Sequence, residues 1–227
     1  MSQSNHETKK EFQIERIILF TDAVFAIAIT LLVIEIKAPH IHQGASAIEI
    51  VSQLLDLFPL FIGFLISFFV IAIYWRSHHR LFSFIKDYDE KLIFLNFLFL
   101  FTIVLMPFSS AYYSENTGYT LPFYFYCVNV AATGIVNFFM LNYIIKNHGR
   151  ISDGFFNVKA RKLARWRTLV VPGIFLFAMF LEWILPQGVK FYSRFMPILI
   201  WPAMIILRKV FGHNASIEFT QQTLPKR

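Results

Sequence analysis

The sequence has few charged residues and a single cysteine. Only 15% of its 227 residues are charged, whereas soluble domains carry about 25%. Because 56% of the residues are hydrophobic, a soluble protein of this length would lack the polar residues needed to cover its surface. The one cysteine, Cys127, excludes an intrachain disulfide. The chain is therefore expected to fold in a lipid bilayer.

Motifs of common enzymes and nucleotide-binding proteins are also missing. The sequence contains no Walker motif, no GxGxxG, no HExxH and no CxxC. His78 and His79 are adjacent, and adjacent helical residues point about 100° apart, which makes a poor metal chelate. We therefore expect no enzyme activity, no metal and no cofactor. The net charge of +7 does not indicate nucleic acid, because the basic residues cluster at the ends of apolar segments.

Six apolar segments approach the roughly 20 residues that a helix needs to cross a bilayer. They predict an all-α, polytopic membrane protein with one six-helix domain, 1–227. The first segment is longer than the apolar core of a signal peptide, so we expect it to be a retained helix. Five prolines lie inside predicted helices and are expected to kink them unless neighbouring groups satisfy the freed carbonyls: Pro59, Pro107, Pro172, Pro197 and Pro202. The predicted helices are 17–36, 54–75, 92–112, 121–145, 168–185 and 195–210.

Lysine and arginine residues set the predicted orientation of the helices. If the N terminus is inside, 18 of the 21 Lys and Arg residues lie on the inner side, and the exceptions are Lys37, Lys190 and Arg194. Both termini are therefore predicted to be cytoplasmic. The basic segment 146–167 is expected to be an inner-surface loop that can form an amphipathic helix.

Polar side chains inside a membrane are costly, so they are candidate functional residues. Asp22 lies about two turns into the first helix and Asn96 about one turn into the third, both counted from the inner side. Trp75 and His78 lie at the inner end of the second helix. Together with Arg16, they predict a buried polar cluster that ties the first three helices together. The alternatives are snorkelling to the headgroups and a direct proton or ion site at Asp22.

One face of the first helix carries four residues of interest: Ile27, Thr30, Leu31 and Ile34. At about 100° per residue, Asp22 lies roughly 140° from Ile27 and points away from this face. Periodicity alone favours a face that contacts lipid or packs against other helices.

Two acidic residues lie near the outer ends of predicted helices. Glu35 ends the first helix and Glu182 lies near the end of the fifth. Both are expected to be interfacial residues. The alternative for Glu35 is an acidic ring that concentrates cations at a pore mouth.

The first helix resembles the signature helix of the transmembrane protein 175 family of bacterial and lysosomal potassium channels. The resemblance rests on Arg16, on Phe20-Thr21-Asp22 and on the apolar stretch that follows. Thr21 stands where the family usually has serine, and it keeps the hydroxyl group. Further matching motifs follow in the same order: WRSHHRLF at 75–82, Asn96 and Pro107-Phe108.

The resemblance implies a potassium-permeable cation channel in which the first helices of a homotetramer surround the ion path. By position, Ile27 would form the narrowest constriction, Leu31 and Ile34 further apolar layers, and Thr30 a hydroxyl that faces the ions. Gating would use dewetting of these apolar rings instead of a TVGYG filter. The single six-helix unit favours a prokaryotic inner membrane. The packing network implied by the family comprises Arg16, Phe20, Thr21, Asp22, His78 and Asn96.

Other function classes stay open at this point. A proton-coupled secondary transporter would use Asp22 and His78 as a relay, although the sequence shows no inverted repeat. A membrane-embedded enzyme would need a convergent set of catalytic polar residues. An accessory membrane subunit would pass no ions.

Overall fold

The computed structural model describes residues 2–152, 158–207 and 209–210. Within these ranges the chain forms α-helices and a 3-10 helix, and no β-strand. The C-terminal residues 211–227 lie outside the described residues, and the predicted orientation of both termini stays a prediction. The helices are α1 (Ser2–Ile34), α2 (Ala47–Asp56), α3 (Phe58–Phe82), α4 (Glu90–Val104), α5 (Met106–Glu115), α6 (Thr120–Lys146), α7 (Val158–Ile184) and the 3-10 helix Gln187–Leu199.

Five stretches of the described helices are long and apolar enough to cross a membrane. They are Phe12–Ile34, Ala47–Phe82, Glu90–Glu115, Thr120–Lys146 and Val158–Ile184. A sixth apolar stretch, Tyr192–Leu207, is shorter and begins inside the 3-10 helix. Pro197 and Pro202 withhold backbone N–H groups from a regular α-helix there. The prediction of an all-α, multi-pass membrane protein is confirmed.

Two of the predicted spans each consist of two helices that meet at a proline. α2 ends at Asp56 before α3 begins, and α4 ends at Val104 before α5 begins. Pro59 and Pro107 lie in the first turns of α3 and α5, where the missing N–H has no intrahelical partner to lose. Pro172, in contrast, lies inside the uninterrupted helix α7.

The helices surround α6, which contacts α3, α4, α5 and, most extensively, α7. α1 packs on the outside of this group, against α3, α4 and α5. Because the outer faces carry many exposed large apolar side chains, the bundle presents lipid with an apolar surface. The core is formed by buried residues that include Ile71, Phe99, Val130, Met140 and Ile144.

The basic segment before the fifth span has a different structure from the one expected. α7 begins at Val158, so residues 159–167 form the first turns of a long helix instead of a separate surface helix. Their positive charges therefore lie on the N-terminal turns of the membrane-spanning helix α7 itself.

Asp89 connects the start of α4 to the last turn of α6 and the segment just after it. Its carboxylate accepts hydrogen bonds from the Leu92 N–H at 2.9 Å, the Tyr143 hydroxyl at 2.5 Å and Arg150 Nη2 at 2.6 Å. Burial opposes ionisation of this carboxyl group, but the three hydrogen bonds together hold the pKa of Asp89 below its usual value. The ionised carboxylate thus joins these two segments at one end of the bundle.

Gly134 allows α6 to approach α7 and α3 closely. A Cβ at this position would lie 2.6 Å from Pro172 Cδ and 2.9 Å from the Tyr74 hydroxyl. Moving either neighbour would disturb other contacts, because Pro172 is part of a continuous helix and the Tyr74 hydroxyl donates a hydrogen bond to the Val130 carbonyl at 2.8 Å. The absence of a side chain therefore sets the separation of three helices.

We expect Gly134→Ala to lower the free energy of unfolding by about 1–3 kcal/mol, because the added methyl group overpacks the contact with Pro172. Gly173→Ala in α7 is the matched control, since its Cβ would meet no atom within 4 Å. Thermal unfolding in detergent, followed by tryptophan fluorescence, measures both variants. Equal stability of the two variants would contradict the close approach at Gly134.

Candidate functional site

One face of α1 is buried against the bundle. Thr21, Phe25, Ala28 and Leu32 are all buried. Because they recur at intervals of three and four residues, they lie along one stripe of the helix. This buried stripe fixes the rotation of α1 about its own axis.

Thr21 is the polar member of the buried stripe, and it is linked by hydrogen bonds to α4 and α3. Asn96 Nδ2 donates to Thr21 Oγ1 at 3.0 Å, and Asn96 Oδ1 lies 2.8 Å from His78 Nε2. All three side chains are buried. Because Asn96 donates through its nitrogen and accepts through its oxygen, this arrangement requires a proton on His78 Nε2. Asn96 is therefore the bridge between α1 and α3.

Aromatic rings hold the His78 imidazole in place. The ring stacks on Phe82, with centroids 4.0 Å apart, and on Phe99, with centroids 5.5 Å apart. Phe25 of α1 lies against the same ring at 6.1 Å. The orientation of Nε2 towards Asn96 is thus set by packing as well as by the hydrogen bond.

Asp22 makes a second connection between α1 and α3. Trp75 Nε1 donates to Asp22 Oδ1 at 2.9 Å, and the Trp75 ring stacks on His79 at 5.5 Å. Asp22 is half-buried, and Trp75 is exposed. Asp22 therefore points towards the neighbouring helix, as expected from its angle to Ile27.

Of the two remaining residues of the predicted network, Phe20 contacts a neighbouring helix, whereas Arg16 is exposed. Phe20 packs its ring edge-on against Phe97 of α4, with centroids 5.9 Å apart. Arg16 is exposed and, among the residues that the structure describes, makes no hydrogen bond or ion pair with the others. Arg16 precedes Thr21 by five residues, which turns it roughly 140° away from the buried stripe. The structure thus brings six of the seven predicted residues into contact with a neighbouring helix and leaves Arg16 apart.

The four residues predicted to line a pore lie on the exposed side of α1. Ile27, Leu31 and Ile34 are 58%, 39% and 66% exposed in the single subunit. Thr30 is also exposed, and its hydroxyl donates to the Ala26 and Ile27 carbonyls at 3.0 and 2.9 Å. We call these four residues the α1 stripe. Glu35 follows the last residue of α1 and is half-buried.

Glu182 is not an exposed interfacial residue, contrary to expectation. It is fully buried and pairs with Arg194 Nη2 at 3.1 Å, and the Ser193 hydroxyl donates to its other oxygen. Arg194 also donates to the Thr117 carbonyl and lies over the ring of Tyr113 at 5.9 Å. The sequence did carry a signal for this pair, since an acid ends one apolar segment and an arginine begins the next on the same predicted side.

Comparison with known proteins connects this arrangement to one family. A family model described as "Endosomal/lysosomal potassium channel TMEM175" matches residues 16–107, a range that holds the α1 stripe and every residue of the predicted network. A protein named as a potassium channel of Chryseobacterium is 30% identical over 137 residues, which are 60% of this chain and 68% of the relative. The chain belongs to the TMEM175 family.

Two further TMEM175 relatives agree with this assignment. A protein named as a potassium channel of Chamaesiphon minutus is 41% identical over 109 residues, 48% of this chain and 53% of the relative. The crystal structure of a protein from the same species, described as a lysosomal potassium-selective channel TMEM175 homolog, superimposes with a TM-score of 0.70 at 28% identity. The superposition covers 86% of this chain and 98% of that one. The chain spans about half of the Chamaesiphon sequence relative.

The family resemblance drawn from α1 is therefore confirmed as that of a bacterial TMEM175 member. The relatives are named as potassium channels and not as enzymes, in agreement with the expectation for this chain. The roles of the individual residues stay predictions.

We expect Thr21→Val to lower the free energy of unfolding by about 1–2 kcal/mol, because the change keeps the shape but leaves the buried Asn96 amide without its acceptor. Thr21→Ser keeps the hydroxyl and serves as the control. Thermal unfolding in detergent compares the two variants. A Thr21→Val protein as stable as Thr21→Ser would show that the hydrogen bond does not hold α1 in place.

Proposed function

We propose that this chain is a potassium-permeable cation channel whose pore is lined by α1 from four copies. The observation that carries the proposal is the contrast between the two sides of α1. One side is buried and hydrogen-bonded to the bundle, whereas the side chains of the α1 stripe are exposed in the described subunit. The names of the bacterial relatives support potassium as the permeant ion.

Assembly is part of this proposal, because a single helix cannot enclose an ion path. A closed rotational ring of four copies would bring four α1 stripes together on one axis. The buried stripe keeps α1 from rotating, so the same side chains would face the axis in every copy. We place this homotetramer in a bacterial inner membrane, in keeping with the bacterial relatives.

The proposed pore selects and gates without backbone carbonyls. Thr117-Gly118-Tyr119, the nearest match to TVGYG, lies in the loop between α5 and α6. The Thr117 carbonyl accepts a hydrogen bond from the Arg194 guanidinium, so this oxygen is already occupied by a donor of the protein. Apolar rings at Ile27, Leu31 and Ile34 would block ions by dewetting when the pore is narrow.

One polar group within the α1 stripe and one just beyond it complete the proposed mechanism. The Thr30 hydroxyl oxygen keeps lone pairs that can help replace water around a potassium ion. Glu35, just beyond α1, would raise the cation concentration at the pore mouth through a ring of four carboxylates. Because selection depends on dehydration at an apolar neck, we expect only modest preference for potassium over sodium.

Ile27→Asn tests the proposed constriction. We expect it to raise the single-channel conductance several-fold and to weaken closure, because an amide keeps the neck wet. Val33→Asn is the matched control, since Val33 lies on another side of α1 and is similarly exposed at 52%. Planar-bilayer recording of purified protein in asymmetric potassium and sodium gives both quantities.

The same recordings separate the proposal from its rivals. Equal currents in the Ile27→Asn and Val33→Asn proteins would remove Ile27 from the pore. Saturable flux that requires a proton gradient, and that Asp22→Asn abolishes, would instead support a proton-coupled transporter. Protein that carries no current in any variant would support an accessory subunit.

A further inference from the structure

A pocket outside the α1 site opens between α3, α6 and α7. Its volume is about 60 Å³, and its polar lining consists of Ser77 and Arg80 from α3, Asn137 from α6, and Arg167 and Thr168 from α7. Leu81, Leu141 and Leu163 are among the apolar residues that complete the wall. The pocket lies at the end of the bundle where the basic residues cluster, which is the predicted cytoplasmic side.

Asn137, which lines this pocket, has an unfilled hydrogen-bonding position. Its side chain is 1% exposed, and Nδ2 donates to Ser77 Oγ at 2.9 Å. Its other terminal atom, Oδ1, is buried without a partner. A buried polar group without a partner is costly, so the site is one hydrogen bond short of complete.

The Asn137 amide and the Ser77 hydroxyl can exchange donor and acceptor roles, so the pair can donate to a ligand that accepts hydrogen bonds. If the amide is turned over, the Ser77 hydroxyl donates to Oδ1 and the amide nitrogen supplies its N–H groups to the pocket. If it is not turned, the Ser77 hydroxyl proton is the group available for donation. In either arrangement the Ser77–Asn137 pair offers a donor to a bound oxygen atom.

The charge of the lining selects the kind of ligand. Arg80 and Arg167 contribute two positive charges, and none of the described residues that line the pocket is an aspartate or a glutamate. Both arginines make other contacts as well, but a guanidinium carries five N–H donors and can serve more than one acceptor. The lining therefore disfavours a cation and favours an anion with several oxygen acceptors.

We propose that this pocket binds a phosphate group. The pocket is small, at about 60 Å³, which suits a single oxyanion group. Two arginines and a small number of neutral donors match the oxygens of a phosphate. The group comes from an anionic lipid headgroup or from soluble phosphate, which present the same chemistry to the pocket.

The surroundings of the pocket suit a ligand at the membrane surface. Trp166, between Arg165 and Arg167, is half-exposed, and tryptophan is enriched at the level of the headgroups. One turn of α6 before Asn137, Gly134 lies close to Pro172 of α7 and Tyr74 of α3. A bound headgroup would therefore keep its acyl chains outside the bundle, and it would clamp α7 to α3.

Two variants change the pocket by different means. Arg80→Gln/Arg167→Gln removes the charge, whereas Ala164→Leu fills the space and keeps both arginines, because Ala164 lines the pocket. Arg165→Gln is the matched control, since Arg165 is an exposed arginine of the same helix that bonds Asn142 Oδ1 at 2.7 Å and does not line the pocket. If one pocket variant fails to fold, the other still tests the proposal.

Delipidated full-length protein is titrated with short-chain phosphatidylglycerol in one arm and with inorganic phosphate in the other, with chloride at the same ionic strength as the blank. Native mass spectrometry and thermal stabilisation report binding. We expect the affinity for at least one probe to fall about tenfold or more in both pocket variants. A loss of this size corresponds to one charge-assisted hydrogen bond. The affinity of Arg165→Gln should equal that of the wild type.

The two arms identify the source of the phosphate group. Binding of phosphatidylglycerol alone indicates a lipid headgroup, and binding of inorganic phosphate indicates a soluble ligand. No binding in either arm, or equal binding by wild type and both pocket variants, would overturn the proposal. Because the readout is binding, the result does not depend on whether the chain conducts ions.

Discussion

The position of α1 depends on the Asn96 side chain, which joins Thr21 of α1 to His78 of α3 within a buried, aromatic environment. A hydrogen bond in such surroundings is expensive to break, because water cannot replace the lost partner. Asp22 and Trp75 add a connection at the edge of the same interface. The rotation of α1 is thereby fixed by polar contacts as well as by apolar packing, which has no direction of its own.

Because the rotation of α1 is fixed, the direction of its exposed side chains is fixed as well. An apolar helix in a membrane gains little from facing protein instead of lipid, so burial alone would not orient its outer side chains. With one side fixed, every copy of the chain presents Ile27, Thr30, Leu31 and Ile34 in the same direction. Such uniformity is what a symmetric pore requires, and the membership of the TMEM175 family agrees with it.

The spans and the polar cluster were the most predictable parts of the structure. Apolar length predicted the helices, and the alternating directions of the helices placed Asp22, His78 and Asn96 at one depth. The hydrogen-bond partners inside the cluster were not predictable. Thr21 and Asp22 are adjacent and point about 100° apart, so the rotation of α1 about its axis decides which of them reaches Asn96, and the sequence does not give that rotation. The buried Glu182–Arg194 pair was missed because it joins two neighbouring segments, and hydropathy does not show how these segments pack against each other.

The claim that the α1 stripes meet on a common axis is tested most directly by cysteine crosslinking. The chain has one cysteine, Cys127, so Ile27→Cys and Val33→Cys are each made in a Cys127→Ala background and oxidised in native membranes. Covalent dimers in the Ile27→Cys protein and none in the Val33→Cys protein are the predicted result. Monomeric Ile27→Cys, with or without dimers at position 33, would contradict a pore lined by this side of α1.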